Sequence, residues 1–320
     1  GYGGSSRMLI QRAYKTELDP NNKQRTVLLK HADTARFAYN WGLARRKEEY
    51  KNTGHSSNAF EQHKQLNALK KIDFSWMYEV SKCAPQEALR DLGKAYKNFF
   101  EGRTAFPKFK SRKERIGSFR LTGAIRVSKD AIQLPRLGLI RIKEQDYLPT
   151  NLHILSATVS ERAGRWFVSV LVEKEIPVPI NPGEIAGADL GIKSFATVSD
   201  GTVFKNTKAL SRYERRLKRE QRAISRKKKG GNNRKKAVRK LQTAHARISN
   251  IRKDVIHKAT TWLAKTKSVV VVEDLNASRN LEKLAVSCTE SINACGEESS
   301  DQFGETLPMN QELNARGING

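Results

Sequence analysis

The sequence predicts an α+β multidomain protein: an antiparallel β-barrel or sheet with an inserted helical lobe, followed by an α/β domain. Three observations indicate this fold class. Leu9–Leu18 alternates apolar and polar residues as a half-buried strand does, and short strands separated by turns continue over 119–175. Between them, apolar residues recur at helical spacing over 20–102. Beyond a Pro-rich linker at 176–184, apolar strands flank a basic helical region at 207–265.

The β-rich part therefore comprises 8–19 and 103–178, and the helical lobe 20–102 is inserted into it. Asp19 is suited to cap the first helix, and Pro20 is suited to its first position. Within 119–175, the sequence "RAGR" separates two alternating runs, which predicts a β-hairpin. These strands form a barrel or sheet built around the first strand.

The α/β domain covers 183–287. Its sequence "SDG" predicts a hairpin, and the Gly-Gly step in "SRKKKGGNNRKK" divides the basic region into two helices. Residues 288–320 are polar and weakly apolar, so we expect a flexible tail there. Residues 1–7 precede Met8 and have the character of an expression scar, so they do not enter the fold prediction.

The net charge points to a polyanionic partner. The 320 residues contain 60 Lys and Arg against 33 Asp and Glu, a formal charge of +27. Such an excess is typical of proteins that bind nucleic acid. The three cysteines form no CxxC pair, so neither a disulfide framework nor a zinc site is expected. No apolar run approaches the ~18 residues of a membrane span. A soluble protein of the cytoplasm, a reducing compartment, is the expectation.

Two acids stand at the ends of apolar strands. Asp189 is followed by "LGIK", and Glu273 ends the strand in "SVVVVED". Carboxylates at neighbouring strand ends can converge on Mg²⁺, which prefers hard oxygen ligands and supports phosphodiester cleavage. Either acid alone is more often an ordinary strand-end residue. Together, in a chain of this charge, they favour a nuclease site.

Basic and aromatic residues supply the candidate nucleic-acid surface. Dense Arg and Lys neutralise phosphates without reading sequence. Exposed aromatic rings among them stack on bases, whereas Tyr96, Phe99, Phe100 and Trp166 fit a core position better. The residues assigned to nucleic-acid binding are Phe106, Lys108, Phe109, Lys110, Arg112, Lys113, Arg215, Arg216, Arg219, Arg222, Arg226, Lys227, Lys228 and Lys229.

Several segments in fixed order resemble one family. They are "FAYNWGLARRKEEY", "QEALRDLGKAYKNFF", "FPKFKSRK", "GADLGIKSFATVSDG", "SRKKKGG" and "VVVEDLN". Together they resemble TnpB, the transposon-encoded RNA-guided DNA nucleases that are ancestral to type V CRISPR effectors. The resemblance extends from about Met8 to Gly296, and the ordered set is far more specific than any one segment.

The resemblance implies a wedge-type β-barrel with an inserted helical recognition lobe, followed by a RuvC-like domain of RNase H fold. It implies a structured guide RNA that pairs with double-stranded target DNA to form a heteroduplex. Lys82 and Gln86 match the positions that contact a short motif flanking the target. Asp189 and Glu273 match the first and second RuvC acids, which bind Mg²⁺.

The sequence departs from the family after the second acid. Family members continue with a helix, a strand, a CxxC…CxxC zinc ribbon and a third acid in a stretch like "DRDxNAAxN". Here "EDLNASRNLEKLAVSCTESINACGEES" runs directly into the family's ending. Asp274 follows Glu273 on a strand, where successive side chains face opposite ways, and suits a cap for a helix beginning near Asn276. The RuvC-like domain is therefore predicted to be truncated, with two of three acids and no zinc site.

The central hypothesis is an RNA-guided DNA-binding protein that does not cleave and that represses transcription by occupying its target, because guided binding and cleavage are separable. One alternative is a compact Mg²⁺-dependent endonuclease whose third acid is Asp301, Glu297 or a residue of a second subunit. A second alternative is an RNA-binding partner without DNA targeting. A third is a transposon remnant that depends on RNA for stability.

Overall fold

The computed structural model describes residues 7–112, 116–178 and 181–272. Its elements, in chain order, are β1 (Arg7–Asp19), α1 (Asn22–Thr53), α2 (Ala59–Lys70), a 3₁₀ turn (Ser75–Glu79), α3 (Cys83–Phe100), β2 (Ser118–Leu121), β3 (Arg126–Val127), β4 (Ala131–Leu134), β5 (Gly138–Ile142), β6 (Ile154–Arg162), β7 (Arg165–Pro177), β8 (Glu184–Asp189), β9 (Ser194–Val198), β10 (Val203–Lys205), α4 (Ala209–Ser225), α5 (Asn232–Thr266) and β11 (Lys267–Val272). None of these helices combines the length and apolar character needed to cross a bilayer.

The first sheet has seven antiparallel strands in the order β2-β6-β7-β1-β5-β4-β3. β1 and β7 pair from Arg7↔Pro177 to Leu18↔Trp166, so the first strand is central, as predicted. β1 therefore begins at the last residue of the segment set aside as a scar. The β6–β7 hairpin at "RAGR" is confirmed, and Ala163 in its turn has a φ of 56°. Closure into a barrel is not confirmed, because β2 and β3 remain the two ends of the described sheet.

The helical lobe packs on this sheet in one continuous core that includes Leu28, Leu89 and Val168. The cap of α1 is Asn21, not Asp19 as expected: Asn21 and Gln24 form a reciprocal capping box, which satisfies two backbone N–H groups. α1 and α3 cross at Gly42. A Cβ there would lie 2.6 Å from a methyl group of Leu89, so only glycine allows this approach without displacing the leucine.

The second sheet has four strands in the order β10-β9-β8-β11, with β8 and β11 parallel. One of its faces packs against α5 in a small cluster that contains Ala186, Val198 and Leu263. The predicted "SDG" hairpin is confirmed as β9–β10, and the Val-rich strand is confirmed up to Val272. The basic region forms the two predicted helices, α4 and α5, joined at the Gly-Gly step.

Polar contacts fix the edge of the second sheet at which β8 and β11 begin. The Asn181 amide donates to the carbonyls of Ala264 (2.7 Å) and Lys267 (2.6 Å). Lys267 Nζ lies 2.8 Å from Asp200 Oδ2, and its side chain is only 9% exposed. This hydrogen bond, together with those that Thr202 donates, lowers the pKa of Asp200 to about 2. The two parallel strands are thus aligned from their starts, so their carboxyl ends lie at the same opposite edge.

Candidate nucleic-acid and metal site

Asp189 is the last residue of β8 and lies at the carboxyl edge of the second sheet. It is exposed and pairs with Thr197 of β9. Because side chains alternate along a strand, Asp189 shares a face with Gly187, while Ala186 and Ala188 face the other way and are buried. The carboxylate therefore lies on the face that α5 does not cover.

β11 brings a second strand end to the same edge. Its parallel register pairs Val271 with Gly187 and Val272 with Ala188. Glu273 follows in the chain but lies outside the described residues, as do Asp274, Glu297 and Asp301. The convergence of Asp189 and Glu273 therefore stays a prediction. Within 7–112, 116–178 and 181–272, no three His, Cys, Asp or Glu side chains gather in a metal-binding group.

α4 carries a stripe of exposed cations. Leu217 and Ala209 hold its other side against Ala244 and Ile248 of α5, which leaves the charged positions in water. An open groove of about 430 Å³ runs along the stripe. Its lining is Arg215, Lys218, Arg219, Arg222, Ala223 and Arg226, and Arg216 is exposed outside it. Four predicted phosphate-binding arginines are thus brought together.

The loop after α4 extends this positive surface. Arg226, Lys227, Lys228 and Lys229 are all exposed there. The Arg234 guanidinium donates to the Ile224 carbonyl at 2.7 Å, which ties the start of α5 to the end of α4. Segment 205–258 contains 21 Lys and Arg against three acids. Those acids pair with Lys218, Arg219 and Lys258 on the surface, so most of the positive charge is not neutralised within the segment.

The aromatic–basic segment 106–112 lies on α1. Asn40 makes two hydrogen bonds to the backbone of Lys110, its Oδ1 accepting at 2.8 Å and its Nδ2 donating at 2.9 Å. Lys47 Nζ lies 5.2 Å from the ring centre of Phe106 and 5.0 Å from that of Phe109. These cation–π contacts orient both rings. The Phe109 side chain is 52% exposed, which leaves surface for a base to stack.

Other residues of this set have mixed environments. Lys108 is exposed, Arg112 Nη1 lies 3.2 Å from Asp33 Oδ2, and Lys113 lies outside the described residues. Phe106 meets the rings of Tyr96 and Phe99 edge to face at 5.6 and 5.2 Å. Trp166 is buried in the core, as expected. Phe100 is 77% exposed, so its expected core position is wrong: it follows the amphipathic turns of α3 and lies beyond the packed part of the helix.

Lys82 and Gln86 lie at the start of α3, four residues apart and so on one helix face. Lys82 is exposed and Gln86 is half-buried. The backbone just before them is held by His31, which is fully buried. His31 Nδ1–H donates to the Val27 carbonyl at 2.8 Å, and Nε2 accepts from the Ser81 N–H at 3.0 Å. Burial lowers the pKa of His31, which favours the neutral ring that this pairing needs.

Sequence reasoning missed three supporting residues: His31, Asn40 and Lys47. Asn40 and Lys47 are seven residues apart, which places them on one face of α1. That spacing is visible in the sequence. Their partners are 59 to 70 residues away along the chain, and only the tertiary fold brings the segment 106–112 back onto α1.

Comparison with known proteins identifies relatives over most of the chain. Residues 158–284 match the family OrfB_IS605, described as "Probable transposase", and residues 8–55 match one described as "Helix-turn-helix domain". In the structure, 8–55 form most of β1 and α1, a strand and one long helix. The "Putative RNA-guided DNA endonuclease InsQ" of Escherichia coli (strain K12) is 34% identical over 281 residues, 85% of this chain and 68% of that protein.

A second relative has a similar match. The "Putative RNA-guided DNA endonuclease" of Streptomyces pristinaespiralis is 36% identical over 285 residues, 86% of this chain and 69% of that protein. Among solved structures, a Cas12f ternary complex aligns with a TM-score of 0.33 and 12% identity. That alignment covers 80% of this chain and 64% of the other.

Proposed function

The chain belongs to the TnpB family, and on that premise we propose that it binds a structured guide RNA and a matching double-stranded DNA target without cleaving the DNA. The relatives at 34% and 36% identity are both named "Putative RNA-guided DNA endonuclease". The observation that supports nucleic-acid binding is the cationic surface of α4 and the following loop. It presents Arg215, Arg219, Arg222 and Arg226 along one open groove.

Guided binding needs a protein that holds nucleic-acid backbones and reads little sequence itself. Base pairing selects the target, and the protein recognises the shape of the heteroduplex. The exposed arginines and lysines of 215–229 suit phosphates, which give strong and salt-dependent affinity. Phe106 and Phe109, oriented by Lys47, suit an unpaired base. Lys82 and Gln86, on one face at the start of α3, are the proposed readers of the flanking motif.

The proposed loss of DNA cleavage follows from the number of acidic residues at the site. Glu273 follows Val272 in the chain, and we propose that its carboxylate meets that of Asp189 at the carboxyl edge of the second sheet. Two carboxylates of this kind fit Mg²⁺ as hard oxygen ligands. Bound Mg²⁺ would supply water activation and leaving-group stabilisation. Alternation along a strand predicts that Asp274 faces away from Glu273, so we propose that this pair has no third acid beside it.

Residues of a catalytic group act as a unit, and the loss of one removes most of the rate. We therefore propose that Asp189 and Glu273 are a remnant of a RuvC site, and that the complex occupies its target without cutting. Occupancy of a promoter by such a complex would repress transcription. No zinc ligand set is proposed, because the three cysteines of the chain form no CxxC pair.

The test uses the full chain purified with its guide RNA, Mg²⁺ and a supercoiled plasmid that carries the matched target beside a randomised flank. Binding is measured by mobility shift and cleavage by plasmid topology in the same samples. Bound but supercoiled plasmid is the expected result. Nicked or linear plasmid that is lost with Asp189→Ala would overturn it in favour of a compact nuclease. Tight RNA binding without matched-DNA binding would leave only an RNA-binding role.

A matched pair of variants tests the flanking-motif readers. Lys82→Ala is expected to flatten the flank preference recovered from the randomised library, because a base contact carries discrimination of about 1–3 kcal/mol. Lys108→Ala, also exposed but assigned to phosphate, is expected to weaken binding equally for all flanks. Equal flank preference in both variants would contradict the assignment of Lys82.

A further inference from the structure

An aromatic cluster lies at the turn that leads into α3, outside the surfaces described above. Phe37 of α1 meets Phe74 and Trp76 edge to face, with ring centres 4.9 and 5.2 Å apart. Phe74 and Trp76 also meet, at 6.5 Å. Phe37 and Phe74 pack against the large core, but Trp76 is 42% exposed. Clustered apolar surface marks an interaction site, whereas a single exposed ring needs no explanation.

The fold holds Trp76 at the surface. Met77, the next residue of the 3₁₀ turn, is buried in the large core, and its N–H donates to the Phe74 carbonyl at 2.9 Å. Successive side chains of a 3₁₀ turn point in different directions, so the burial of Met77 directs Trp76 away from the core. The contacts with Phe37 and Phe74 limit the motion of the indole. A ring that is already ordered loses less entropy when a ligand stacks on it.

The cluster is close to the proposed readers of the flanking motif. Lys82 follows Trp76 by six residues, at the other end of the same turn. The ring of His31 accepts from the Ser81 N–H and so ties this end of the turn to α1, the helix that carries Phe37. Trp76 and Lys82 therefore belong to one connection that is attached to α1 at both ends.

The cluster also adjoins the aromatic–basic segment. Asp33 lies one helical turn before Phe37 on α1, and it pairs with Arg112 at the end of that segment. Lys47, which orients Phe109, is ten residues after Phe37, about 15 Å further along α1 and within about a quarter turn around it. That distance corresponds to about four steps of a strand with bases ~3.4 Å apart. The surface is thus continuous with the one proposed to stack an unpaired base.

We propose that Trp76 stacks on an unpaired base of the displaced DNA strand beside the flanking motif. This inference rests on the proposed function, because guide pairing is what displaces a strand. Pairing begins next to the motif, and the protein of a guided complex stabilises the strand displaced there. Stacking accepts every base, which suits a strand whose sequence changes with each target. The displaced strand is favoured over the guide RNA because Lys82 places the motif, where the strands separate, beside Trp76.

Fluorescence of 2-aminopurine tests the proposal. The full chain with its guide RNA binds a matched target whose displaced strand carries this analogue at the first position beside the flank selected from the randomised library. A second target has a mismatched bubble there, so that the analogue is unpaired even without guide pairing. Stacking on an aromatic ring quenches the analogue, and a mobility shift measures binding in the same samples.

The variants are Trp76→Leu, which removes the ring, and Trp76→Phe, which keeps one. Phe60→Leu is the matched control, because Phe60 is 77% exposed on α2. Trp76→Leu is expected to raise the fluorescence of bound target about threefold or more and to weaken binding of the bubble target about fivefold or more, as the loss of one base–aromatic stack does. Trp76→Phe and Phe60→Leu should stay close to the parent. Equal fluorescence in parent and Trp76→Leu, or an equal change in Phe60→Leu, would overturn the proposal.

Failure of the proposed function gives a different result. Without guided opening, the fully paired target stays dim in every variant, while the bubble target still responds to Trp76→Leu and so supports the stacking. No response of either target to Trp76→Leu would sink the stacking itself. The analogue is also placed in the guide RNA, where a Trp76-dependent signal, with none in the DNA, would overturn the choice of strand.

A cross-link in the unsubstituted protein keeps the test independent of how Trp76→Leu folds, which thermal melting checks. The target carries 5-iododeoxyuridine at the same displaced position, and ultraviolet light links it to an aromatic ring in contact. Peptide mass spectrometry is expected to place the link at Trp76. Links found only at other residues would contradict the proposal.

Discussion

His31→Phe is expected to lower the free energy of unfolding by about 2 kcal/mol. Both ring nitrogens of His31 are used, and the Ser81 N–H that it accepts is buried. Phe keeps a ring against Phe119, whose centre lies 5.0 Å from that of His31, so packing changes little. The variant leaves the Ser81 N–H without an acceptor, which costs about 1–3 kcal/mol. The Val27 carbonyl also loses its hydrogen bond to the His31 ring, but it lies within α1, so the free-energy cost there is smaller.

Urea denaturation followed by far-UV circular dichroism measures this change, with the slope against urea checked for constancy. His31→Gln is the matched variant, because its amide oxygen can accept from Ser81; it should recover part of the loss. A His31→Phe protein within about 0.5 kcal/mol of the parent would refute the reasoning, since an unpaired buried N–H cannot cost so little.

Acidification gives an independent readout of the same contact. Burial lowers the pKa of His31 in the folded state, so the unfolded chain binds the proton more readily. The stability from the neutral ring is full above the ordinary histidine pKa of about 6.5 and falls as pH drops below it, by at most about 1.4 kcal/mol per pH unit. His63 and His245 have pKa values lowered by burial too. Their contribution is present in His31→Gln as well, so the difference between parent and variant isolates His31.

Three further predictions follow from other polar contacts. The Glu17 carboxylate accepts hydrogen bonds from Lys143 and Arg165, and its pKa is lowered. Glu17→Gln should lower the free energy of unfolding, measured in urea at pH 7, by about 1 kcal/mol, because both cations are half exposed. This loss should shrink as the pH falls into the range where carboxyl groups titrate, and a pH-independent difference would contradict the prediction. Asp200→Asn should lower the melting temperature at pH 7 but have little effect near pH 2, where Asp200 is half protonated; an equal shift at both values would refute the ion-pair role. Asn40→Ala should make limited proteolysis cut the segment 106–112 faster. Unchanged cleavage would show that the two hydrogen bonds from the Asn40 side chain do not hold this segment.

The strands and helices were largely predictable because their signals are local. Alternation over Leu9–Leu18, the Gly-Gly break and the apolar run before Glu273 each lie within a few residues. The cap of α1 was misplaced by two residues because Asp19 and Asn21 are both good caps. Gln24 decides between them, since it completes a capping box only with Asn21.

The residue types of the candidate site could be predicted from the sequence, but the contacts that hold those residues in place could not. Exposed arginines of α4 follow from helical spacing, because Leu217 fixes the buried side. Phe100 was placed in the core for the same reason, yet it extends past the last packed turn of α3. Contacts such as His31 to Ser81 and Lys47 to Phe109 join residues 50 or more apart, and no local pattern encodes them.

The surfaces proposed to bind nucleic acid and the edge that carries Asp189 rest on different hydrophobic clusters of the described residues. The segment 106–112 and the start of α3 rest on the large core shared by the first sheet and the helical lobe. The arginine stripe of α4 rests on its own contacts with α5. Asp189 depends on a third and much smaller cluster around Ala186, Val198 and Leu263. The aromatic segment shares no element with that cluster and the arginine stripe shares only α5, so a substitution of Asp189 is expected to leave in place the contacts that orient both surfaces.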